Sequence, residues 1–218
     1  MRRLLTALVL VTFSLAAQYS VKPETQMPGG IPEAVKAMLK AEGQSVFEGD
    51  KKLLSLFYVA KLAPGENAEM NVTHADIAHG TLMGIASFPA DYQDRRGNAI
   101  KAGTYLLRMS FFPINGAHQG IEPQRDFLIL TKPSIDGDPA SQPDYKTLME
   151  TAIKSATASH PMALSCWKND YDQAPGLVKE GEGDHPAWVL YTTIGEKKLA
   201  IIVVVQHTGR LKPTFTRR

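Results

Sequence analysis

The segment from Asn115 to Phe127 concentrates residue types that bind ligands and transfer protons. It reads N-G-A-H-Q-G-I-E-P-Q-R-D-F and places His118, Arg125 and Asp126 between two apolar runs. A histidine titrates near neutral pH, a guanidinium donates hydrogen bonds in a fixed fork, and a carboxylate accepts them. These three side chains are therefore the principal candidate ligand-binding residues of the sequence.

Two residues outside this segment complete the candidate site. Arg96 lies in the turn D-R-R-G-N, where a guanidinium could hold a carboxylate or phosphate through two parallel hydrogen bonds. His160 stands in S-H-P, directly after a predicted helix. If either folds beside the Asn115–Phe127 segment, a polar cleft results. The competing interpretation is structural, because glycines, Pro123 and acidic residues in such segments also build tight turns that satisfy their own backbone groups.

The segment T-H-A-D-I-A-H offers His74, Asp76 and His79 as weak candidates for a metal site. Histidine and carboxylate side chains are ordinary metal ligands. The spacing is unfavourable, because His74 and Asp76 share one face of a strand whereas His79 points to the other. A solvated connection is the competing interpretation, and no cofactor is predicted.

Motifs for nucleophilic catalysis and phosphate binding are missing from the sequence. It contains no G-x-S-x-G, no G-x-x-x-x-G-K and no G-x-G-x-x-G. Cys166 is the single cysteine and lies in an apolar stretch, so a buried thiol is favoured over an intermolecular disulfide. Tyr92 and Trp188 could stack on sugars, but packing in the protein interior is the favoured role for both.

The N-terminal residues have the organisation of a secretory signal peptide. Arg2 and Arg3 precede an apolar run, and Ser14 and Ala16 fit the small positions of a cleavage site. We expect residues 1–17 to be removed, with cleavage near Ala16 or the following alanine. The run is too short to span a bilayer, so no membrane span is expected after cleavage. The predicted location is secreted or periplasmic.

Composition limits the partners of the mature chain. The sequence has 24 basic and 22 acidic residues, and without Arg2 and Arg3 the two classes are equal. This balance gives no basis for binding nucleic acid or an anionic membrane surface. The expected partner is an unidentified protein or small molecule.

Periodicity predicts a mainly β fold after Ser45. Candidate strands are short, and the run from Thr104 to Phe112 alternates clearly, with Tyr105, Leu107, Met109 and Phe111 on one face. The remaining candidate strands lie at S-V-F, at K-K-L-L-S-L-F-Y, at residues 69–73, 81–88 and 126–131, and in a C-terminal hairpin whose apolar run from Ile201 to Val205 predicts a central strand.

Two amphipathic helices are predicted beside these strands. One begins at Ile31 and ends before Gly43, and the other covers D-Y-K-T-L-M-E-T-A-I-K-S-A. With about eight short strands, the predicted architecture is an antiparallel β-sandwich with two peripheral helices. The predicted domain covers residues 31–218, preceded by an extended segment at 18–30.

The chain resembles a family of uncharacterised exported bacterial proteins. The resemblance rests on D-x-R-G-x-x-I-K-x-G-x-Y-x-L-R from Asp94, on N-G-x-H-x-G-x-x-P-x-R-D-F-L-x-L from Asn115, and on S-H-P from Ser159. It implies a secreted β-sandwich over most of the mature chain, and it implies no activity.

Three functions remain open from the sequence. The leading hypothesis is a non-enzymatic β-sandwich that binds a ligand or partner through loops at one end, where binding residues often lie. The first alternative is a hydrolase-like or metal-binding enzyme that uses His118, Asp126 and His160. The second alternative is a subunit of a surface assembly. An enzyme requires its catalytic side chains to converge in one pocket, which separates the first two hypotheses.

Overall fold

The structure is a computed structural model of the 218-residue chain. It describes residues 19–62, 65–66, 72–94, 98–112, 125–156, 159–168, 176–180, 185–194 and 197–204, with side-chain surroundings described as far as residue 166.

Twelve strands and two helices make up the described chain. The strands are β1 (Tyr19–Glu24), β2 (Gly43–Glu48), β3 (Lys51–Tyr58), β4 (Leu82–Phe88), β5 (Tyr92–Gln93), β6 (Ala99–Ile100), β7 (Gly103–Phe111), β8 (Asp126–Thr131), β9 (Ala163–Lys168), β10 (Gly176–Glu180), β11 (His185–Ile194) and β12 (Lys197–Val204). The helices are α1 (Glu33–Lys36) and α2 (Tyr145–Ser155).

The strands form one curled antiparallel sheet rather than two separate layers. Seven strands pair in the order β1-β2-β3-β4-β7-β8-β9, and β9 continues the pairing through β12, β11 and β10. Strands β1 and β10, at opposite ends of this order, approach each other. Strands β5 and β6 form a separate small hairpin. The mainly β, antiparallel prediction is confirmed, whereas the sandwich is not.

The predicted alternation on β7 is largely confirmed and defines the main core. Tyr105, Leu107 and Met109 are buried in the main apolar cluster together with Leu128 and Leu130 of β8. Phe111 is also buried, but its ring contacts His79 and Tyr145 instead. The core face of β7 therefore ends at Met109, two residues before the strand does.

Helix α2 covers the opposite face of β7 and β8. Its side chains Leu148 and Ala152 form a second apolar cluster with Phe127 and Ile129 of β8. Asp144 caps the helix by accepting a hydrogen bond from the backbone N–H of Thr147, at 2.7 Å. These strands are therefore buried on both faces, which explains their nearly continuous apolar character.

Helix α1 is shorter than the sequence pattern predicts. It ends at Lys36, and the residues that follow bond to the end of β3. The N–H of Lys40 donates to the carbonyl oxygen of Tyr58, and Leu39 forms an isolated bridge with Val59. The predicted apolar stripe is still buried through Ile31, Val35 and Leu39, so sheet pairing, not solvent exposure, ends the helix.

Other predicted elements have mixed outcomes. The hairpin of β2 and β3, the strands β4 and β8, helix α2 and the C-terminal hairpin are confirmed, and β12 lies between β9 and β11. Residues 72–73 of the predicted 69–73 strand are not in a strand, and 69–71 lie outside the described residues. The predicted extended segment at 18–30 contains β1, which pairs with β2.

Two single-residue predictions concern the interior. The Cys166 thiol is fully buried in the main core, as predicted. Tyr92 is buried and its ring packs against Phe88, with centroids 5.1 Å apart, which confirms an interior role. The side chain of Trp188 lies outside the described side chains. No helix in the described part of the chain has the length and apolar character needed to cross a membrane.

Candidate binding site at the junction of β7 and β8

The principal candidate residues lie where β7 passes to β8. Asp126 is the first residue of β8 and pairs with Phe111, the last residue of β7. Its carboxylate Oδ2 accepts two hydrogen bonds of 2.6 Å from Thr73, one from the backbone N–H and one from the hydroxyl. Asp126 thereby holds the segment 72–80 against the end of the sheet, although Thr73 lies 53 residues earlier in the chain.

His74 extends this contact into a three-residue polar cluster. Its Nδ1 lies 3.2 Å from Thr73 Oγ1 and 3.7 Å from Asp126 Oδ2, and both ionisable side chains are fully shielded from solvent. The Thr73 hydroxyl has one proton, which it donates to Asp126, so it must accept a hydrogen bond from His74. In a neutral imidazole this places the proton on Nδ1 and leaves Nε2 as an acceptor.

Two buried acceptors of this cluster have no partner. His74 Nε2 and Asp126 Oδ1 are both inaccessible and make no hydrogen bond within the described part of the chain. Buried polar atoms are almost always paired in native proteins, because an unpaired one costs about 1–3 kcal/mol. The buried Tyr58 hydroxyl is also unpaired. His74 and Asp126 differ from it because their unpaired acceptors belong to adjacent side chains.

The charge of Asp126 is set by two opposing effects. Burial acts to raise the pKa of this carboxyl, but the interactions with His74 and Thr73 outweigh it, and the pKa is lowered below the ordinary 3.8. Asp126 is therefore ionised at neutral pH. An ionised oxygen that accepts no hydrogen bond from the described residues is a strong acceptor for a ligand donor.

Arg125 lies beside the cluster and is held by the end of β7. Its Nε donates to the carbonyl oxygen of Phe112 at 2.7 Å, and its guanidinium carbon lies 5.2 Å from the centroid of the Phe111 ring. Phe111 in turn stacks on Tyr145, the first residue of α2, at 5.8 Å. These contacts fix the Arg125 guanidinium over Phe111 at the end of β7.

A second histidine pairs with a serine on the α2 side of the sheet. His79 Nε2 lies 3.1 Å from Ser110 Oγ, and its Nδ1 lies 3.2 Å from the carbonyl oxygen of Pro143. Because Nδ1 must donate to that carbonyl, Nε2 accepts the serine proton, which is the arrangement of a nucleophile and its base. Ser110 is only 1% exposed, however, so a substrate carbon has no approach to its hydroxyl.

The three weak metal candidates are not brought together. His74 is buried against Asp126, Asp76 is exposed, and His79 is bonded to Ser110 and Pro143. Among the residues that the structure describes, no group of three or more His, Cys, Asp and Glu side chains is arranged to hold a metal ion. The described geometry gives the metal interpretation no support.

His160 lies far from Asp126. It is exposed and precedes β9, whose residue Ala163 pairs with Ile129, whereas Ser165 pairs with Phe127. His160 is therefore beyond the far end of β8, about 17 Å from Asp126 by strand rise alone. A cleft that joins these two residues does not form.

The remaining candidates fall partly or wholly outside the described residues. Arg96 and His118 lie outside the described residues. Asp94, which flanks Arg96, accepts hydrogen bonds from the backbone and side-chain amides of Asn98, at 2.8 and 2.9 Å. The small hairpin it belongs to follows β4 and precedes Gly103, at the end of β7 opposite to Phe111.

Arg108, which was not among the predicted site residues, is the largest fully buried side chain among the described residues. It binds both carboxylate oxygens of Asp136 through Nε and Nη2, at 2.6 and 2.7 Å. It also donates to the carbonyl oxygens of Gly80, Asp138 and Ser141 and to the Ser141 hydroxyl. We call this group the Arg108 cluster. It fixes the segment 132–144 to the sheet, and all five donors of the guanidinium are used.

The sequence could not have shown these pairings directly. The alternation on β7 assigns Arg108 to the face opposite the core, but only the later segment around Asp136 reveals that this face is covered. Thr73 carries no motif, and its link to Asp126 spans two intervening strands of the sheet.

Comparison with known proteins gives no further assignment. The chain matches no protein-family model, and searches of curated proteins and of solved structures also find no match. The resemblance to exported bacterial proteins stays a prediction from the sequence.

Proposed function

We propose that the chain is an exported, non-enzymatic protein that binds a ligand or partner at the junction of β7 and β8. The binding residues are His74, Arg125 and Asp126, with Thr73 as the residue that positions them. We call these four residues the junction site. The secreted or periplasmic location is part of the proposal and rests on the signal-peptide pattern of residues 1–17.

One observation carries the proposal: His74 Nε2 and Asp126 Oδ1 are buried and, among the described residues, have no hydrogen-bond partner. A ligand that supplies N–H or O–H groups would satisfy both, and would thereby recover the free energy that their isolation costs. The ligand is therefore an uncharged or cationic donor, such as an alcohol or an amine. A nucleic-acid backbone fits poorly, because its phosphates are acceptors.

Both acceptors are shielded from solvent, so binding includes a local opening of the protein. The observed affinity is lowered by the cost of this opening. Arg125 is fixed beside the site by Phe111 and Phe112, so the rim is already ordered before a ligand arrives. In this proposal the curled sheet positions the binding residues, as the predicted sandwich was expected to do. The segments that connect its strands recognise the ligand.

The experiment is a titration followed by NMR, with side-chain labelling of His74. The probes are ethanolamine, which carries donors on both ends, and acetate at the same ionic strength, which carries only acceptors at neutral pH. We expect ethanolamine to shift the His74 ring nitrogens and the amides of residues 72–80, and acetate to leave them unchanged. An equal response to both probes, or none to either, would refute the proposal.

Two variants sharpen the titration. Asp126→Asn replaces one acceptor oxygen by a donor, and we expect it to abolish the ethanolamine response. His160→Ala is the matched control, because His160 is exposed at the far end of β8. It should respond as the unmodified protein does.

A further inference from the structure

We propose that a second site, the cavity between the segment 132–144 and helix α2, binds a small uncharged molecule that carries a branched aliphatic group beside an amide. The cavity has a volume of about 330 Å³. This lies at the lower end of the range of about 300–1,000 Å³ found for small-molecule pockets. We call it the α2 cavity, and it is independent of the junction site.

The loop wall of the α2 cavity is fixed before any ligand binds. Asp136 and Ser141 line it, and the buried guanidinium of Arg108 binds both of these residues from the sheet side. Pro143 also lines it, and its carbonyl oxygen is held by His79. A wall that is already ordered costs little conformational entropy on binding.

The helix wall is equally well anchored. Leu148 lines the cavity and is fully buried against β8, and the Asp144 cap fixes the first turn of α2. Thr151, one turn further along, donates its hydroxyl proton to the carbonyl oxygen of Thr147. Its oxygen retains acceptor capacity, so the helix wall offers an acceptor for a ligand N–H.

The lining combines apolar and polar side chains in a way that suits an aliphatic amide. Ile135 and Pro143 supply its accessible apolar surface; Leu148 also lines it but is fully buried. Ile135 is 44% exposed, and a bound aliphatic group would cover it. Gln142 and Thr147 supply an amide and a hydroxyl at the rim, where a ligand amide would bond.

The charge in and around the α2 cavity disfavours an anion. The two Asp136 oxygens are engaged by Arg108 and by the hydroxyl of Thr131, at 2.6 Å, so this carboxylate is neutralised by its partners. The Asp144 carboxylate occupies the start of α2, and its pKa is lowered by hydrogen bonds from Thr147. The helix end is therefore already capped by an anion, and a second one would be repelled.

The test is an NMR titration of the isotopically labelled protein with three probes. N-acetyl-L-leucinamide has the proposed chemistry, N-acetylglycinamide lacks the aliphatic group, and N-acetyl-L-leucine carries a carboxylate. We expect the first probe to shift amides of segment 132–144 and of α2 with a dissociation constant on the order of 1 mM, and the other two to bind about tenfold or more weakly. Equal shifts with all three probes, or none with the first, would overturn the proposal.

Variants on the surface of α2 locate the binding. Thr147→Trp places a large ring at the mouth of the cavity, and we expect it to weaken binding of N-acetyl-L-leucinamide by about tenfold. Lys146→Trp is the matched control, because Lys146 is exposed on the same helix and does not line the cavity. If both variants bind the probe like the unmodified protein, the ligand does not occupy the α2 cavity.

Discussion

The two faces of strands β7 and β8 carry buried polar clusters of opposite kinds. On the α2 side, the Arg108 cluster uses every donor of a fully buried guanidinium. At the junction site, His74 and Asp126 are equally buried, yet in the part of the chain that the structure describes each retains a polar atom without a hydrogen-bond partner. A saturated cluster has no capacity left for a ligand, so its role is to hold the fold together. An unsaturated cluster carries a free-energy cost that binding can remove.

The largest effect that separates the two clusters is expected for Arg108→Met. This change leaves the carboxylate of Asp136, which is 9% exposed, without its charged partner. We expect a loss of about 3–5 kcal/mol in the free energy of unfolding, as for other broken buried pairs. Urea denaturation followed by circular dichroism measures it. The exposed pair of Lys101 and Asp91 gives the control, since Lys101→Met should leave the midpoint unchanged.

A smaller effect is expected for Gly80→Ala, which tests how tightly the Arg108 cluster is packed. Gly80 has a φ of +80°, and a Cβ there would lie 2.7 Å from the carbonyl oxygen of Pro143. Both the backbone conformation and this contact oppose alanine, so we expect a loss of about 2–3 kcal/mol in thermal or urea unfolding.

Gly30→Ala is the matched control for this substitution. Gly30 has nearly the same φ, +76°, but a Cβ there would meet no atom within 4 Å. Gly30→Ala should lower the free energy of unfolding by only about 1 kcal/mol, the cost of placing alanine in a left-handed backbone conformation. Equal losses at Gly80 and Gly30 would mean that the contact with Pro143 contributes nothing.

The smallest of the three effects concerns Asp126→Asn and depends on pH. The pKa of Asp126 is lowered in the folded protein, so its ionised form stabilises the fold, and this stabilisation is lost as the pH falls through the folded pKa below 3.8. At neutral pH we expect Asp126→Asn to lower the free energy of unfolding by about 1–3 kcal/mol. In acid below the folded pKa, the difference from the unmodified protein should shrink.

Comparing the variant with the unmodified protein at each pH isolates Asp126 from other carboxyls. Glu24 has a pKa of about 2, because Lys52 and Ser45 bond to it, and it loses its stabilising charge over a similar acid range. It does so equally in both proteins, so it cancels in the difference. A difference that stays constant down to the lowest pH would show that the carboxylate charge contributes nothing to stability.

Elements that depend on neighbouring residues in the sequence were predicted correctly, whereas those that depend on distant segments were not. Strand β8 and helix α2 were predicted well, because a short apolar run and an apolar helical stripe are local signals. Helix α1 was predicted too long, since pairing with residues 58–60 competes with helix formation and lies outside any local window. Backbone pairing between such distant segments depends on the whole sheet and not on local propensity.

The candidate site was predicted only in part for the same reason. Arg125 and Asp126 were identified from their residue types, and Asp126 contacts His74, which the sequence had assigned only to a weak metal site. His160 was grouped with Asp126 because both carry titratable groups, but the antiparallel register of β8 and β9 places them at opposite ends. Only the topology of the sheet shows that His74 lies beside Asp126 and that His160 does not.

The single thiol of Cys166 can be used to measure how often the fold opens locally. It sits in the main core with no accessible surface, and the sequence contains no second cysteine to compete for a labelling reagent. Modification of this sulfur by a disulfide reagent must therefore wait for β9 to separate from its neighbours. The labelling rate under native conditions would track how often the middle of the sheet comes apart.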